Sequence, residues 1–204
     1  MTIEQAMQRA ERNEDVQDCL VEACEESDRI NSTFQALLRI SQIEAGARKT
    51  RFKPVDLFDV MKSVAEIYRS VAEDSEQELE FTSEVKPPCL IEGDRELLTQ
   101  LFVNLVENAI THCPPKTLIR MTLTQDDGSL RATVADDGPG IPAGERELVF
   151  RRLYRLDKSR TTPGSGLGLT LVKAIADLHS ASVVLEGRQP GLQAAIHFPP
   201  QQLS

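Results

Sequence analysis

Basic charge is scarce in this chain of 204 residues: 23 Lys and Arg stand against 32 Asp and Glu, leaving a net charge of −9. Binding a phosphate backbone needs clustered cations, so nucleic acid is excluded as a partner. Long apolar runs are also missing, so no membrane-spanning segment and no membrane contact is predicted for these residues. The amphipathic, acidic start "MTIEQAMQRAERNEDV" resembles neither a secretory signal nor an Arg-rich transit sequence. Cysteine occurs four times, at 19, 24, 89 and 113, without a CxxC pair. That spacing excludes a zinc knuckle and a disulfide framework and predicts reduced thiols. Histidine is found only at 112, 179 and 197. Glycine numbers just 11, yet three crowd into "GSGLGLTLV" at 164–172. Glycine there costs backbone entropy, which implies a turn or a close approach of main chain to something bound.

What is present is 40% apolar residues, enough for a core and for one or two domains. Val16, Leu20, Ala23, Ser27, Ile30, Phe34, Leu37 and Ser41 alternate spacings of four and three. This heptad seam predicts a long helix with Gly46 as its stop, preceded by a short helical stub at 1–10 and a turn at 12–15. The basic, Pro-terminated "ARKTRFKP" at 47–54 reads as the connector between domains. A second domain is predicted from 55 to 204, opening with a helix after Pro54 in which Val55, Phe58, Val60, Met61, Val64, Ile67, Tyr68 and Val71 recur at mostly helical spacing. Strands follow in "LEFTSEV" and "PPCLIEGD", then an acid-started helix from Asp94 to Cys113. "TLIRMTLTQ" and "LRATVAD" flank an Asp-Gly hairpin signal, and "ASVVLEG" and "GLQAAIHFP" close the chain after the glycine-opened helix. The sum is an α-helical hairpin followed by an α+β domain, an α/β two-layer sandwich with a mixed sheet.

Three constellations carry chemistry. Asn104 and Asn108 share one helix face, bordered by Glu107 and Thr111. Asparagine is a poor helix former, so the pair reads either as neutral amides offered to Mg²⁺ and phosphate or as solvated surface amides. In "VADDGPGI" a strand ends at Asp136 before Gly138 and Gly140; the carboxylate can accept from an exocyclic amino group, and the same residues also suit an ordinary turn. Gly164, Gly166 and Gly168 lead into a helix whose N-terminus suits an anion, or they form a flexible loop with tight packing. Leu169 breaks the dinucleotide pattern GxGxxG, and no GK[ST] follows, which excludes a P-loop.

In this order the three resemble the GHKL, or Bergerat-type, ATP-binding fold, specifically the catalytic domain of sensor histidine kinases of two-component systems. "NLVENAITH" is similar to that family's N box, "DDGPG" to its G1 box, "VFRRLYRLD" to its F box and "GSGLGL" to its G2 box. The helix ending "NSTFQALLRISQIEAG" resembles the second helix of the dimerisation and phosphoacceptor hairpin. The resemblance implies ATP and Mg²⁺ as cofactors, with Asn104 holding Mg²⁺ and Asn108 touching the phosphates. It implies that Asp136 accepts the adenine amino group, with Gly138, Gly140 and Ile141 around the ring. Arg155 and Lys158 are implied as phosphate contacts from the loop, and Gly164, Gly166, Leu167 and Gly168 as the hinge and wall of an ATP lid.

The chain also departs from the family. Thr111 stands where an N-box Lys is usual, and His112 replaces an aromatic that packs on adenine; an imidazole can still stack there. Leu153 replaces the second Phe of the F box, a change expected in the core. No histidine lies in the hairpin region, so 1–46 is expected to be a truncated dimerisation hairpin without the acceptor His or its neighbouring acid, and His179 and His197 are expected to be structural. The implied function is the ATP-binding portion of a protein-histidine kinase, which in its full length phosphorylates a histidine for relay to a response-regulator Asp. This fragment is not expected to phosphorylate itself. The resemblance further implies a homodimer through the hairpin and a cytoplasmic placement within a parent in the bacterial inner membrane. The alternatives are a GHKL-type ATPase, disfavoured because Asn104 stands where those relatives carry a water-activating Glu, and a non-enzymatic dimerisation or nucleotide-binding module.

Overall fold

The computed structural model describes residues 17–45, 49–126, 128–156 and 166–200. The expected stub and turn at 1–16, and the stop at Gly46, lie outside the described residues. Two compact units divide between Arg39 and Ile40, not at the expected connector 47–54. The first is described through α1 (Gln17–Glu44), on which Leu20, Ile30 and Phe34 of the heptad seam are exposed.

In the second unit the end of α1 contributes Ile40 and Ile43 to the core. A 3-10 turn at Lys49–Arg51 leads to β1 (Lys53–Asp56), so Lys53 and Pro54, expected in the connector, are already strand. β1 pairs antiparallel only with β3 (Leu90–Gly93), a two-stranded ribbon in which a proline without an N–H is tolerated. The first helix of this unit, α2 (Leu57–Asp74), accordingly starts at Leu57 rather than straight after Pro54. Asp56 caps it by accepting from Phe58 N–H at 3.1 Å, and the same oxygen accepts from Cys89 N–H at 2.9 Å, so one carboxylate fixes both helix start and ribbon. α2 buries Leu57, Val60, Met61, Val64, Ala65 and Ala72, whereas Ile67 and Val71, expected on the same stripe, are exposed.

The main sheet runs β2 (Glu78–Ser83), β4 (Leu118–Asp126), β5 (Ser129–Asp136), β7 (Leu192–Phe198), β6 (Ser182–Gly187), with β2 and β4 parallel and the other pairs antiparallel. Along β4, Ile119, Met121 and Leu123 are buried and alternate with partly exposed neighbours, the period-two pattern of a strand covered on one face. The covering layer is α2, α3 (Arg95–His112) and α4 (Gly168–Leu178), with Leu97, Leu98, Leu101 and Phe102 wholly buried. Truncating any one of these would cost about 2–5 kcal/mol. The expected two-layer mixed sandwich is what forms.

α3 and α4 are antiparallel and pinned at one end by His179. Asp94 caps α3 by accepting from Glu96 and Leu97 N–H at 3.0 and 3.3 Å. Its own N–H donates to His179 Nε2 at 3.1 Å, just beyond the end of α4, while Nδ1 donates to the Ile175 carbonyl at 2.8 Å. The neutral Nδ1–H tautomer satisfies both bonds. The ring also stacks on Phe52 at 4.7 Å, and glycine at 93 is required because a Cβ there would come within 2.8 Å of the imidazole. Burial holds the imidazole below its ordinary 6.5 despite the Ile175 carbonyl and the Asp94 charge. His112 is shifted the same way, by burial and by Arg155. Both rings resist protonation in the folded state, so below about 6.5 the unfolded chain binds more protons and stability falls with falling pH. Denaturant melts should show a clear loss between pH 7 and 5. His179→Leu should cost about 2 kcal/mol at pH 7 through its lost hydrogen bonds and stacking, and should flatten part of that slope; a wild-type midpoint independent of pH over this range contradicts the assignment.

Candidate nucleotide site

The opposite end of the α3–α4 pair brings two of the three sequence constellations together. Asn104 Nδ2 donates to the Gln100 carbonyl at 2.8 Å, which fixes the amide and leaves Oδ1 toward Gly168. Asn108, one turn on, has a buried Nδ2 with no partner among the described residues. Leaving such a donor unpaired costs about 1–3 kcal/mol, so this amide is a candidate contact for a ligand. Gly168 opens α4 directly against both side chains: a Cβ there would stand 3.3 Å from Asn104 Oδ1 and 3.5 Å from Asn108 Nδ2. Asp56 and Asp94 cap α2 and α3, but α4 begins at Leu167 with no side-chain cap. Its first N–H groups and the positive end of its dipole therefore face the amides, a setting that favours an anion.

Asp136 ends β5 as expected. Its Oδ1 accepts from Gly138 N–H at 3.0 Å and Leu192 N–H at 3.3 Å, so the carboxylate is held at the start of β7. The glycines around it have protein neighbours of their own. Gly138 lies on Cys113, and Gly140 faces the Gly191 carbonyl, which a Cβ would approach to 2.7 Å. Ile141 is half-buried, and its carbonyl accepts from Arg146 Nε at 3.0 Å.

The segment after Phe150 runs beside the start of α4. A Cβ on Gly166 would meet the Arg155 stem at 3.0 Å, and the Arg155 charge helps lower His112. Gly166 has φ +71, Leu167 is buried, and at the end of α3 Thr111 is exposed, as is His112 apart from a partly covered ring. Lys158 and Gly164 lie outside the described residues. Leu153 is a correction: it is 56% exposed and not a core residue, because its backbone is left-handed at φ +60 and turns the side chain outward. Its neighbour Arg152 forms an ion pair with Glu44 at the end of α1.

Two residues of this region were not legible in advance. Cys113 offered only an isolated cysteine at a helix end. Gly191 follows Pro190, a Pro-Gly turn signal that could have marked it. A cavity of about 600 Å³ along edge strand β2, lined by Arg69, Glu73, Gln77 and Phe81 among others, contains none of the expected nucleotide ligands.

A mixed sheet carrying an amide-bearing helix against a glycine-opened one without a side-chain cap defines the class: a two-layer α/β domain. Residues 93–202 match the family described as histidine kinase-, DNA gyrase B- and HSP90-like ATPase. The sensor-like histidine kinase SenX3 of Mycolicibacterium smegmatis is 32% identical over 168 residues, 81% of this chain and 43% of that protein. The solved mycobacterial sensor histidine kinase MprB is 31% identical, with a TM-score of 0.64, and the match covers 74% of this chain and 98% of that one. Full-length ShkA, solved in complex with AMPPNP, shares the fold at 23% identity and a TM-score of 0.76 over 95% of this chain and 42% of that one. The chain belongs to this ATPase family and, within it, to the ATP-binding portion of the sensor histidine kinases. It spans less than half the length of the curated relatives it matches.

The packing around Asp136 yields a direct test. Gly191 has φ +112, and a Cβ there would sit 1.8 Å from the Asp136 carbonyl oxygen. Gly191→Ala should therefore destabilise the domain by about 3 kcal/mol or more, from backbone strain added to overlap. Urea unfolding measures this; a variant within 1 kcal/mol of the parent, about the size of an ordinary surface change, would contradict the close approach.

Proposed function

We propose that the second unit binds ATP with Mg²⁺ and, in the full-length protein, positions the γ-phosphoryl for transfer to a histidine, from which it passes to a response-regulator Asp. The observation that carries this reading is Asn108 Nδ2, without a partner among the described residues, beside Gly168 at the start of α4, which has no side-chain cap. Asn108 and the α4 N–H groups take the phosphates, and Asn104, whose Oδ1 is left free by its bond to Gln100, holds the cation. Magnesium takes hard oxygen ligands and keeps much of its water, so Asn104 Oδ1 would be the protein oxygen offered to it. When bound, Mg²⁺ neutralises phosphate charge; the chain's own residues supply orientation and further positive potential. Asp136 receives the adenine amino group beside Gly138, Gly140 and Ile141. Arg155 and Lys158 approach the phosphates, His112 and Thr111 border the nucleotide, and Gly164, Gly166, Leu167 and Gly168 form the lid hinge and wall.

The acceptor histidine comes from another segment or chain, since His179 is buried and bonded, His197 lies in β7 and His112 ends α3. The exposed seam of α1 supports dimerisation of the parent through a helical hairpin. No described helix is long and apolar enough to cross a membrane. Kinship with sensor kinases supports a cytoplasmic place for this part of a parent anchored in the bacterial inner membrane. A simple ATPase is the weaker reading. Asn104 cannot take a proton from water, and Glu107 on the same helix is engaged by Tyr68 Oη at 2.6 Å.

Calorimetry with a non-hydrolysable ATP analogue should show binding that requires Mg²⁺. Asp136→Ala should weaken it by about 100-fold, the scale of a lost charge-assisted hydrogen bond, while leaving the fold intact. Labelled ATP should leave no phosphate on this chain but should label a separate histidine-bearing hairpin added in trans. Steady phosphate release without transfer would favour the ATPase, and absence of nucleotide binding would overturn both.

A further inference from the structure

The loop that leaves β5 carries two adjacent residues that hold different parts of the site. Beyond Ile141 it makes one 3-10 turn at Ala143–Glu145 and a second at Leu148–Phe150. Arg146 Nε donates to the Ile141 carbonyl at 3.0 Å, and its guanidinium lies on Gly187 at the end of β6, where a Cβ would overlap it. Glu145 holds a different segment. Its Oε2 accepts from Tyr154 Oη at 2.6 Å, partly buried, the length expected of a hydroxyl donating to a charged acceptor.

Tyr154 is also where the segment after Phe150 meets the approach to α4. Its N–H donates to the Arg151 carbonyl at 3.2 Å, across the left-handed turn at Leu153. A Cβ on Gly166 would stand 3.0 Å from the Tyr154 carbonyl oxygen and 3.0 Å from the Arg155 stem, so both residues lie against bare main chain. Gly166 precedes Leu167, from which α4 begins. Tyr154 is therefore held at two points, by its backbone on Gly166 and by its hydroxyl on Glu145, and Arg155 follows it directly. Glu145 and Tyr154 are both only half-buried and belong to no helix of the core, so their bond fixes a loop and not the fold.

We propose that Tyr154 and Glu145 are a positioning pair for phosphate binding: their hydrogen bond fixes the backbone from which Arg155 extends, relative to the start of α4. The inference rests on the nucleotide reading given above, in which Arg155 approaches the phosphates. A pair acting through Arg155 affects only ligands that carry phosphate, whereas a packing role affects adenosine and its triphosphate alike.

The test is an amide NMR titration of the parent chain, Tyr154→Phe, Glu145→Ala, Glu145→Gln and the double variant Tyr154→Phe/Glu145→Ala, with adenosine and with a non-hydrolysable ATP analogue plus Mg²⁺. Tyr154→Phe and Glu145→Ala should each lose about five- to tenfold in affinity for the triphosphate, the worth of one hydrogen bond, and less than about twofold for adenosine. Glu145→Gln, which keeps an acceptor for the hydroxyl, should stay within about twofold of the parent. The double variant should be no weaker than either single one, because the two side chains act as a unit; thermal melts confirm that all are folded. Equal losses for both ligands, no loss for the triphosphate, a glutamine variant as weak as the alanine one, or losses that add in the double variant would overturn the proposal. A parent that binds the triphosphate no more tightly than adenosine would remove the phosphate side of the nucleotide reading and this inference with it; a parent that prefers the triphosphate, alongside a phenylalanine variant with the same preference, removes this inference alone.

Discussion

The antiparallel pairing of α3 and α4 is the constraint on which the rest depends. His179 locks one end by accepting from Asp94 N–H, so the start of α3 and the end of α4 are mutually satisfied and closed to solvent. The other end is left unsatisfied among the described residues: an α4 N-terminus without a side-chain cap, a glycine without a side chain, and two amides, one with an Nδ2 that has no partner there. Polar groups buried without partners are expensive, so proteins retain them where a ligand supplies what is missing. The same two helices thus provide the domain's rigidity at one end and its chemistry at the other.

The sheet places the second half of the site. β5 delivers Asp136 to the edge of this helical layer, and the hydrogen bond from Leu192 N–H together with the bare backbone of Gly191 fixes where the strand stops. Three glycines there leave room for neighbouring main chain and for Cys113, so the loop is shaped by protein contacts before any ring arrives. A preformed acceptor loses less conformational freedom on binding than one that must be ordered by its ligand. The chain as a whole carries a net charge of −9, so in the proposed reading a triphosphate is held by local N–H dipoles, amides and an incoming cation and not by the overall field.

Much of this was readable in the sequence where local chemistry decides structure. Asp94 before an apolar run marked α3, the Asp-Gly turn marked the β4–β5 hairpin, and the spacing of Asn104 and Asn108 put them on one face. Where tertiary context decides, the sequence was silent or misleading. Pro54 looked like a connector because proline breaks most elements, yet a two-stranded ribbon accepts it. Ile67 and Val71 fit a helical stripe whose far edge this unit does not cover. Leu153 looked like a core substitution until its left-handed backbone turned it outward. Cys113 had no motif at all, since Gly138, on which it packs, lies far along the chain.

The central claim is that the amides of α3, the start of α4 and the carboxylate of β5 serve one ligand. The most direct measurement is an amide NMR titration with Mg²⁺ and a non-hydrolysable ATP analogue. One saturable process should move the Gly168 and Gly138 backbone signals and the Asn104 and Asn108 side-chain amides together, with a single dissociation constant. Shifts confined to the Gly138 loop, or two sets of signals titrating with different constants, would show that the two halves belong to separate sites and would contradict the account.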